Sequence, residues 1–427
     1  MKELQVSIEI EGKQHLVGSI EGINCEDARF RYADEYLCIA GIRPISISLP
    51  LQKEYFSPKD TRCFFEGLLP EGFSRRALAS WAKVDESDYL AILEVLGQEC
   101  LGAICVQGKS SDTSEAAYEL LSEEQVHALA SEGATKSTEL LMETHLSLTG
   151  ASGKVGLYYD IPNKQWYLPK GKAASTHIVK QSHVRLNRIV LNEQLCMLTA
   201  KKMGIDVPES FIVNLGEGKE TEVLYATQRY DRVLQSGVYI GDLQCPYRLH
   251  QEDFSQALGI PASEKYEKDH SSYMKKMFQL LNNYSSNPVE DRLKLWDRII
   301  FNCLIGNTDC HVKNYSLLYS PDLKRIRLAP AYDILCTRVY GTTNEMSFYI
   351  GGTLDITKMN RDTFIRAANE VGIGEKLAMK NFDHLLNEIE ICLDDAAEEL
   401  FQMGYEDVFS VSDSIKEQIY KSECMDA

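Results

Sequence analysis

Apolar and polar positions alternate with period two over Leu4-Gln5-Val6-Ser7-Ile8-Glu9-Ile10, the mark of a half-buried strand. Glu11-Gly12-Lys13 reads as a hairpin turn and His15-Leu16-Val17 as the return strand. A second alternation, Pro44-Ile45-Ser46-Ile47-Ser48-Leu49, predicts another strand. Phe73 to Trp81 and Asp88 to Leu96 carry helical spacing, and Gly97 to Val106 returns to a strand. From Gly108 to about Ser137 the chain turns to Ser, Glu and Ala and reads as a connector. Within it, Ser122 with Gln125 three residues on predicts a helix start. Lys154 to Tyr159, Trp166 to Leu168, His177 to Lys180 and Glu222 to Arg229 predict strands. Between the last two, a helix is predicted over Asn192 to Met203, ended by Gly204. Beyond His250 helical spacing dominates, over Tyr273 to Asn282, Val289 to Leu304, Asp362 to Val371 and Ala378 to Met403. A β-rich part followed by a helical part is the outline of a kinase, although an outline does not set a function.

Composition narrows the classes. The apolar and charged fractions are those of a globular chain, and no apolar run approaches the roughly 18 residues that span a bilayer. The start, Met1-Lys2-Glu3-Leu4-Gln5, has no basic region followed by an apolar block, so no signal peptide and no membrane partner is expected, and the cytoplasm is the default. The 12 cysteines form no CxxC pair and sit in apolar stretches, which reads as buried reduced thiols rather than a zinc site. A net charge of −18 argues against a basic nucleic-acid face on this chain, so contact with DNA would be made mainly by a partner.

The chemistry concentrates in Asn307-Thr308-Asp309-Cys310-His311-Val312-Lys313-Asn314. An Asp followed five positions later by an Asn has the spacing of a protein-kinase catalytic loop, in which the Asp accepts the substrate hydroxyl proton and the Asn binds magnesium. Taken alone, such a pair is most often two turn caps. A second carboxylate, Asp333, ends the apolar stretch Leu328 to Tyr332, where a metal-binding Asp would sit. Lys180 ends a predicted strand and suits ATP phosphates, and Glu193 on the following helix can pair with it. The turn Thr149-Gly150-Ala151-Ser152-Gly153-Lys154 could bring backbone N–H groups to a phosphate, though a plain hairpin reads as well.

In this order the motifs resemble the HipA family of serine/threonine kinases over nearly the whole chain. The resemblance is carried by Ser147-Leu148-Thr149-Gly150-Ala151, Thr176-His177-Ile178-Val179-Lys180, Asn192-Glu193 and Arg229-Tyr230-Asp231-Arg232. His250-Gln251-Glu252-Asp253-Phe254, the Thr308 to Asn314 loop and Tyr332-Asp333 continue it, with Leu49-Pro50-Leu51 and Glu66 to Gly72 in front. It implies an α+β, two-lobed protein-kinase-like fold: an extra N-terminal domain over 1–107, a connector over 108–140, a β-rich lobe over 141–245 and an all-helical lobe over 246–427. It implies Asp309 as catalytic base, Asn314 and Asp333 as Mg2+ ligands, and Lys180 on the ATP phosphates. Gly150, Ala151, Ser152, Gly153, Lys154, Glu193, His311 and Lys313 complete the nucleotide set, with Gln228 and Tyr230 at the adenine. Ser147 matches the serine such kinases autophosphorylate, a dianion that would repel nucleotide. Ser152-Gly153 departs from the Gln-Pro or Gln-Glu of the family loop, which makes Ser152 a second candidate site. The implied partners are a HipB-like helix-turn-helix antitoxin, operator DNA mainly through that antitoxin, and a protein substrate, with aminoacyl-tRNA synthetases as the family's substrate class. The alternatives are a small-molecule or lipid kinase, and an inactive corepressor-type binding module.

Overall fold

The first alternation folds as a hairpin: β1 (Lys2–Ile10) and β2 (Lys13–Gly22) pair antiparallel, with Ile10 opposite Lys13. The turn residues Glu11 and Gly12 have φ of +48° and +76°, which suits a two-residue turn matched to strand twist. These coordinates come from a computed structural model, which describes residues 2–108, 115–132, 136–137, 139–140, 153–182 and 186–421.

The described chain divides into two units. The first comprises Met1–Gln181, Ala226–Ala262 and Leu317–Ile326. Its front sheet has the order β3-β2-β1-β4, with β3 at Arg29–Tyr32 and β4 at Ile104–Gly108. Helices α1 (Pro58–Phe65), α2 (Gly72–Ala82) and α3 (Tyr89–Leu96) belong to the same region. Ser57 caps α1 through its side chain, which accepts from the Asp60 amide, and Asp88 caps α3 in the same way on Ala91. Phe30, Tyr32, Phe56, Phe64 and Phe65 form an aromatic core there, with ring centroids 4.9–6.0 Å apart.

The predicted strand over Pro44–Leu49 does not form; only an isolated bridge links Ser46 and Leu49. The alternation does record burial, since Ile45 and Leu49 are in the core. Side chains, not a neighbouring strand, satisfy the backbone. The Ile45 amide donates to the Tyr32 hydroxyl (3.1 Å), and the Ile47 amide donates to Glu252 (3.1 Å). The Ile45 carbonyl accepts from Nε2 of His250 (2.8 Å).

After β5 (Ala117–Leu120) comes α4 (Glu123–Ser131), which opens with the expected Ser122–Gln125 capping box. Strands β6 (Lys154–Asp160), β7 (Gln165–Lys170) and β8 (His177–Gln181) follow, in the sheet order β5-β7-β6-β8. The hairpin β11 (Arg232–Ile240) and β12 (Leu243–Arg248) and a small sheet of β13 (Gln251–Asp253), β14 (Ser316–Tyr319) and β15 (Ile326–Leu328) lie mostly in the first unit.

The second unit holds α5 (Ile189–Lys202), β9 (Ser210–Asn214), the first half of β10 (Val223–Gln228), α6 (Tyr273–Tyr284), α7 (Pro288–Ile305), α8 (Arg361–Val371), α9 (Glu375–Gln402) and α10 (Val408–Tyr420). Helix α5 begins three residues before the expected Asn192, because it opens on apolar Ile189, Val190 and Leu191 without a side-chain cap to mark its start. Trp296 of α7 is fully buried and donates from its indole to the Ala378 carbonyl of α9 (3.2 Å). The region from 246 onward is helical in the main but not all-helical: β13 to β15, β16 (Glu345–Ile350) and β17 (Thr353–Asp355) interrupt it. These strands are three to six residues long, too short for period two to stand out from the helical spacing around them. The fold class is α+β.

Candidate active site

Helix α7 delivers the central loop. It stops at Gly306, whose φ of +79° is the left-handed conformation that ends helices at glycine, and a Cβ there would meet the Cys336 sulfur at 3.0 Å. The chain then folds on its own side chains. Asn307 donates to Asn302 Oδ1 (2.9 Å) and accepts from the Asp309 amide (3.2 Å). The Thr308 amide donates to the Thr337 hydroxyl (2.8 Å), and the Thr308 carbonyl accepts from Ser347 (2.8 Å). Asn314, at the end of the 3-10 turn Val312–Asn314, donates from its side-chain Nδ2 to the Asp309 carbonyl (2.8 Å). That bond closes the loop across the five-residue spacing. The Asp309 side chain is left exposed, while Cys310, His311, Val312 and Lys313 are buried. Burial pushes the Cys310 thiol up to about 12, so it stays protonated and inert.

Asp333 reaches the same neighbourhood along a strapped segment of the second unit. Arg327 grips Asp291 of α7 (3.0 Å), and the Leu328 amide donates to the same carboxylate (2.9 Å). Arg298 of α7 donates to the Ala329 carbonyl (2.8 Å), and the Ala331 amide to the Asp206 carbonyl (2.7 Å). The Tyr332 hydroxyl donates to the Lys313 carbonyl (2.9 Å), which ties the residue before Asp333 to the loop that carries Asp309 and Asn314. Past Asp333, the Asn192 side chain of α5 clamps Cys336: its carbonyl accepts from the Cys336 amide (3.0 Å) and its amide donates to the Cys336 carbonyl (3.0 Å). Asp333 itself is half-buried at φ +58°, a left-handed conformation in which Asp is tolerated better than most residues. Anchors on both sides hold it there, the pattern expected of a backbone position kept for function.

The second unit thus holds Asp309, His311, Lys313 and Asn314 on one loop and Asp333 on a segment bonded to that loop through Tyr332, with Glu193 buried on α5 of the same unit. Lys180 is buried in the first unit on β8, opposite Lys154 of β6 in register, and its strand runs one residue further than expected, to Gln181. Gly153 precedes β6, and a Cβ on it would collide with the Gln181 amide at 1.9 Å. Gln228 ends β10, and Tyr230 hydrogen-bonds Gln251. Ser147, Gly150, Ala151 and Ser152 lie outside the described residues.

Two family models match the chain: the HipA N-terminal domain over residues 8–107 and the HipA-like C-terminal domain over residues 146–393. The chain belongs to the HipA family. Y4mE of Sinorhizobium fredii, named provisionally as a kinase, is 32% identical over 87% of each chain. The protein of Shewanella oneidensis named serine/threonine-protein kinase toxin HipA is 28% identical over 70% of this chain and 67% of its own. The solved complex of Shewanella oneidensis HipA with HipB and operator DNA contains a chain of the same fold, with a TM-score of 0.79, 20% identity and 99% of both chains covered.

Within this HipA-family chain, sequence reasoning missed Tyr266. Its hydroxyl donates to Asp309 Oδ1 (2.6 Å), and its ring stands edge-on to His311 with centroids 5.2 Å apart. Lys265-Tyr266-Glu267 carries no motif spacing, and the 43 residues that separate it from Asp309 hide the pairing. The Thr337 and Ser347 hydroxyls that pin the loop escape notice for the same reason: their sequence neighbours say nothing about residue 308.

Arg229-Tyr230-Asp231-Arg232 acquires a structural role in the first unit. Arg229 meets Asp231 in two parallel bonds (2.9 and 2.8 Å), and Arg232 meets Glu99 (3.1 Å) and the Gly102 carbonyl (3.0 Å). All four charged side chains are 0–3% exposed. Burial alone would raise the Asp231 carboxyl, but Arg229 and Arg232 beside it hold it well below the usual carboxylate range. Burial and the neighbouring Arg229 bring Arg232 down to about 10. The His250 to Phe254 stretch likewise fastens the 45–47 loop: Glu252 accepts from Ser46 (2.5 Å), the Ile47 amide and the Tyr319 hydroxyl (2.5 Å).

Proposed function

We propose that this chain is an ATP-dependent serine/threonine protein kinase, the toxin half of a HipA-type toxin–antitoxin pair. The observation that carries the reading is the Asn314-to-Asp309 bond, which makes the Asp-x-x-x-x-Asn spacing a closed loop with an outward carboxylate, beside a strapped Asp333. Three oxygen-bearing side chains of this kind suit magnesium, a hard cation that keeps several waters and takes one or two carboxylates together with phosphate oxygens. Asn314 and Asp333 would hold the ion, which supplies charge neutralisation at the transferred phosphate when bound. Asp309 takes the proton of the acceptor hydroxyl as that oxygen attacks phosphorus, and the bond to the nucleotide's bridging oxygen breaks.

The family resemblance assigns Lys154, Lys180, Gly153, His311, Lys313, Gln228 and Tyr230, with Gly150, Ala151 and Ser152, to ATP, and Glu193 to Lys180. It assigns Ser147 to autophosphorylation, and a HipB-like helix-turn-helix antitoxin as the partner that carries the chain to DNA. The net charge of −18 supports that division of labour, because a DNA face would have to come from elsewhere. Incubation with Mg-ATP should place phosphate on protein serine or threonine, with Ser147 the self-modified residue by mass spectrometry. Phosphate appearing only on a metabolite or lipid would replace this reading with a small-molecule kinase. Absence of any turnover would leave the corepressor-type binding module.

A further inference from the structure

We propose that Tyr266 is a positioning residue for the phosphotransfer, orienting the Asp309 carboxylate through a bond at one of its oxygens as it meets the acceptor hydroxyl. This rests on the reading of Asp309 as the base. The phenol donates to Asp309 Oδ1 at 2.6 Å, a charge-assisted bond made from outside the Asn307–Asn314 loop. Within the loop, Asn307 and Asn314 hold only the backbone of residue 309, at its amide and its carbonyl. Tyr266 bonds the carboxylate itself.

Tyr266 is about two-fifths exposed, and an exposed phenol would ordinarily exchange its partner for water. Here its backbone is fixed. The next residue, Glu267, is 4% exposed. The Glu267 amide donates to the Ser347 carbonyl (2.8 Å), and its carboxylate accepts from the Tyr349 amide (3.0 Å) and the Tyr273 amide (3.3 Å). The Tyr273 hydroxyl donates to the Glu264 carbonyl (2.8 Å), pinning the other side. The Tyr266 ring also carries Lys265 Nζ at 5.3 Å and His311 edge-on. The same Ser347 donates its hydroxyl to the Thr308 carbonyl, so one residue of β16 fixes both the strand of chain bearing Tyr266 and the loop bearing Asp309. Phenol and carboxylate are set against each other by a shared support, which is how a catalytic group is kept within the narrow range of productive orientations.

Tyr266→Phe keeps the ring, its His311 contact and the fold, and removes only the donated proton. Steady-state phosphotransfer should show kcat lower by about tenfold, with KM for ATP and the melting temperature unchanged. A kcat equal to that of the unaltered enzyme overturns the proposal, and so does a fall that is matched by weaker ATP binding or a lower melting temperature. Asp309→Asn run alongside separates the two readings. If Asp309→Asn retains the full rate, or the unaltered protein transfers no phosphate, Asp309 is not the base and the role of Tyr266 falls with it. If Asp309→Asn is inactive and Tyr266→Phe is not slowed, only the role of Tyr266 falls.

Discussion

At Asp333 backbone and side chain make opposite demands. The φ of +58° costs a non-glycine residue of order 1 kcal/mol or more, yet the anchors at Ala331, Tyr332 and Cys336 hold the chain there. Asp333→Gly should therefore fold at least as stably, by up to about 1 kcal/mol in denaturant unfolding, while losing phosphotransfer by several orders of magnitude. A glycine variant that is active, or one that is strongly destabilised, would refute the argument. At this scale the sequence was most legible where chemistry is local. Asp309 and Asn314 share one loop, so their spacing could be read directly, and Asp333 follows within the next short segment. Tyr266 could not be read, because its partner is set by tertiary packing.

One side chain of helix α5 ties it to the segment that follows Asp333. Asn192 is 1% exposed and makes both amide bonds to the Cys336 backbone, with a third to the Tyr340 hydroxyl (3.1 Å). Asn192→Ala leaves the buried amide and carbonyl of Cys336 without partners, at a cost of about 2–4 kcal/mol. Because Cys336 lies three residues after Asp333, phosphotransfer should fall along with stability, and Asn192→Ala with unchanged unfolding would remove the clamp from the account. Long helices such as α7 and α9 were legible from helical spacing: α9 buries one stripe along its length, and α7 buries one face in its first turns before it is buried all round from Arg298 to Ile305. The Pro44–Leu49 strand was misread because alternation reports burial, and burial here is achieved by a loop whose amides bond to Tyr32 and Glu252.

Across the whole chain, buried charge is what ties distant sequence together. The Arg229–Asp231–Arg232–Glu99 network joins residues 99–102 to 229–232 inside the first unit. Arg229→Met leaves Asp231 and Glu99 short of a cation, and unfolding should show a loss of about 3–5 kcal/mol. A change below 1 kcal/mol would mean the network is incidental. Glu252 gives a pH dependence of the opposite kind. Burial outweighs the bonds from Ser46, Tyr319 and Ile47, and raises its carboxyl from 4.5 to about 7. A raised acid favours the folded state while protonated, so its contribution is complete below pH 4.5 and is lost as pH climbs through about 7. Glu252→Gln should flatten that decline in melting temperature, and an unchanged slope would count against it. Family likeness singled out Arg229 to Arg232 and the His250–Phe254 stretch but not Glu99 or Tyr319, and it gave the His250–Phe254 stretch no role, because Ile45 and Ile47, which it fastens, lie some 205 positions away. Whether Asp309 carries phosphate transfer to a protein hydroxyl is decided by giving labelled ATP and magnesium to the purified protein and to Asp309→Ala. Labelled phosphoserine or phosphothreonine should form with the unaltered chain and not with the variant at equal folding, and equal labelling of the two would overturn the role of Asp309.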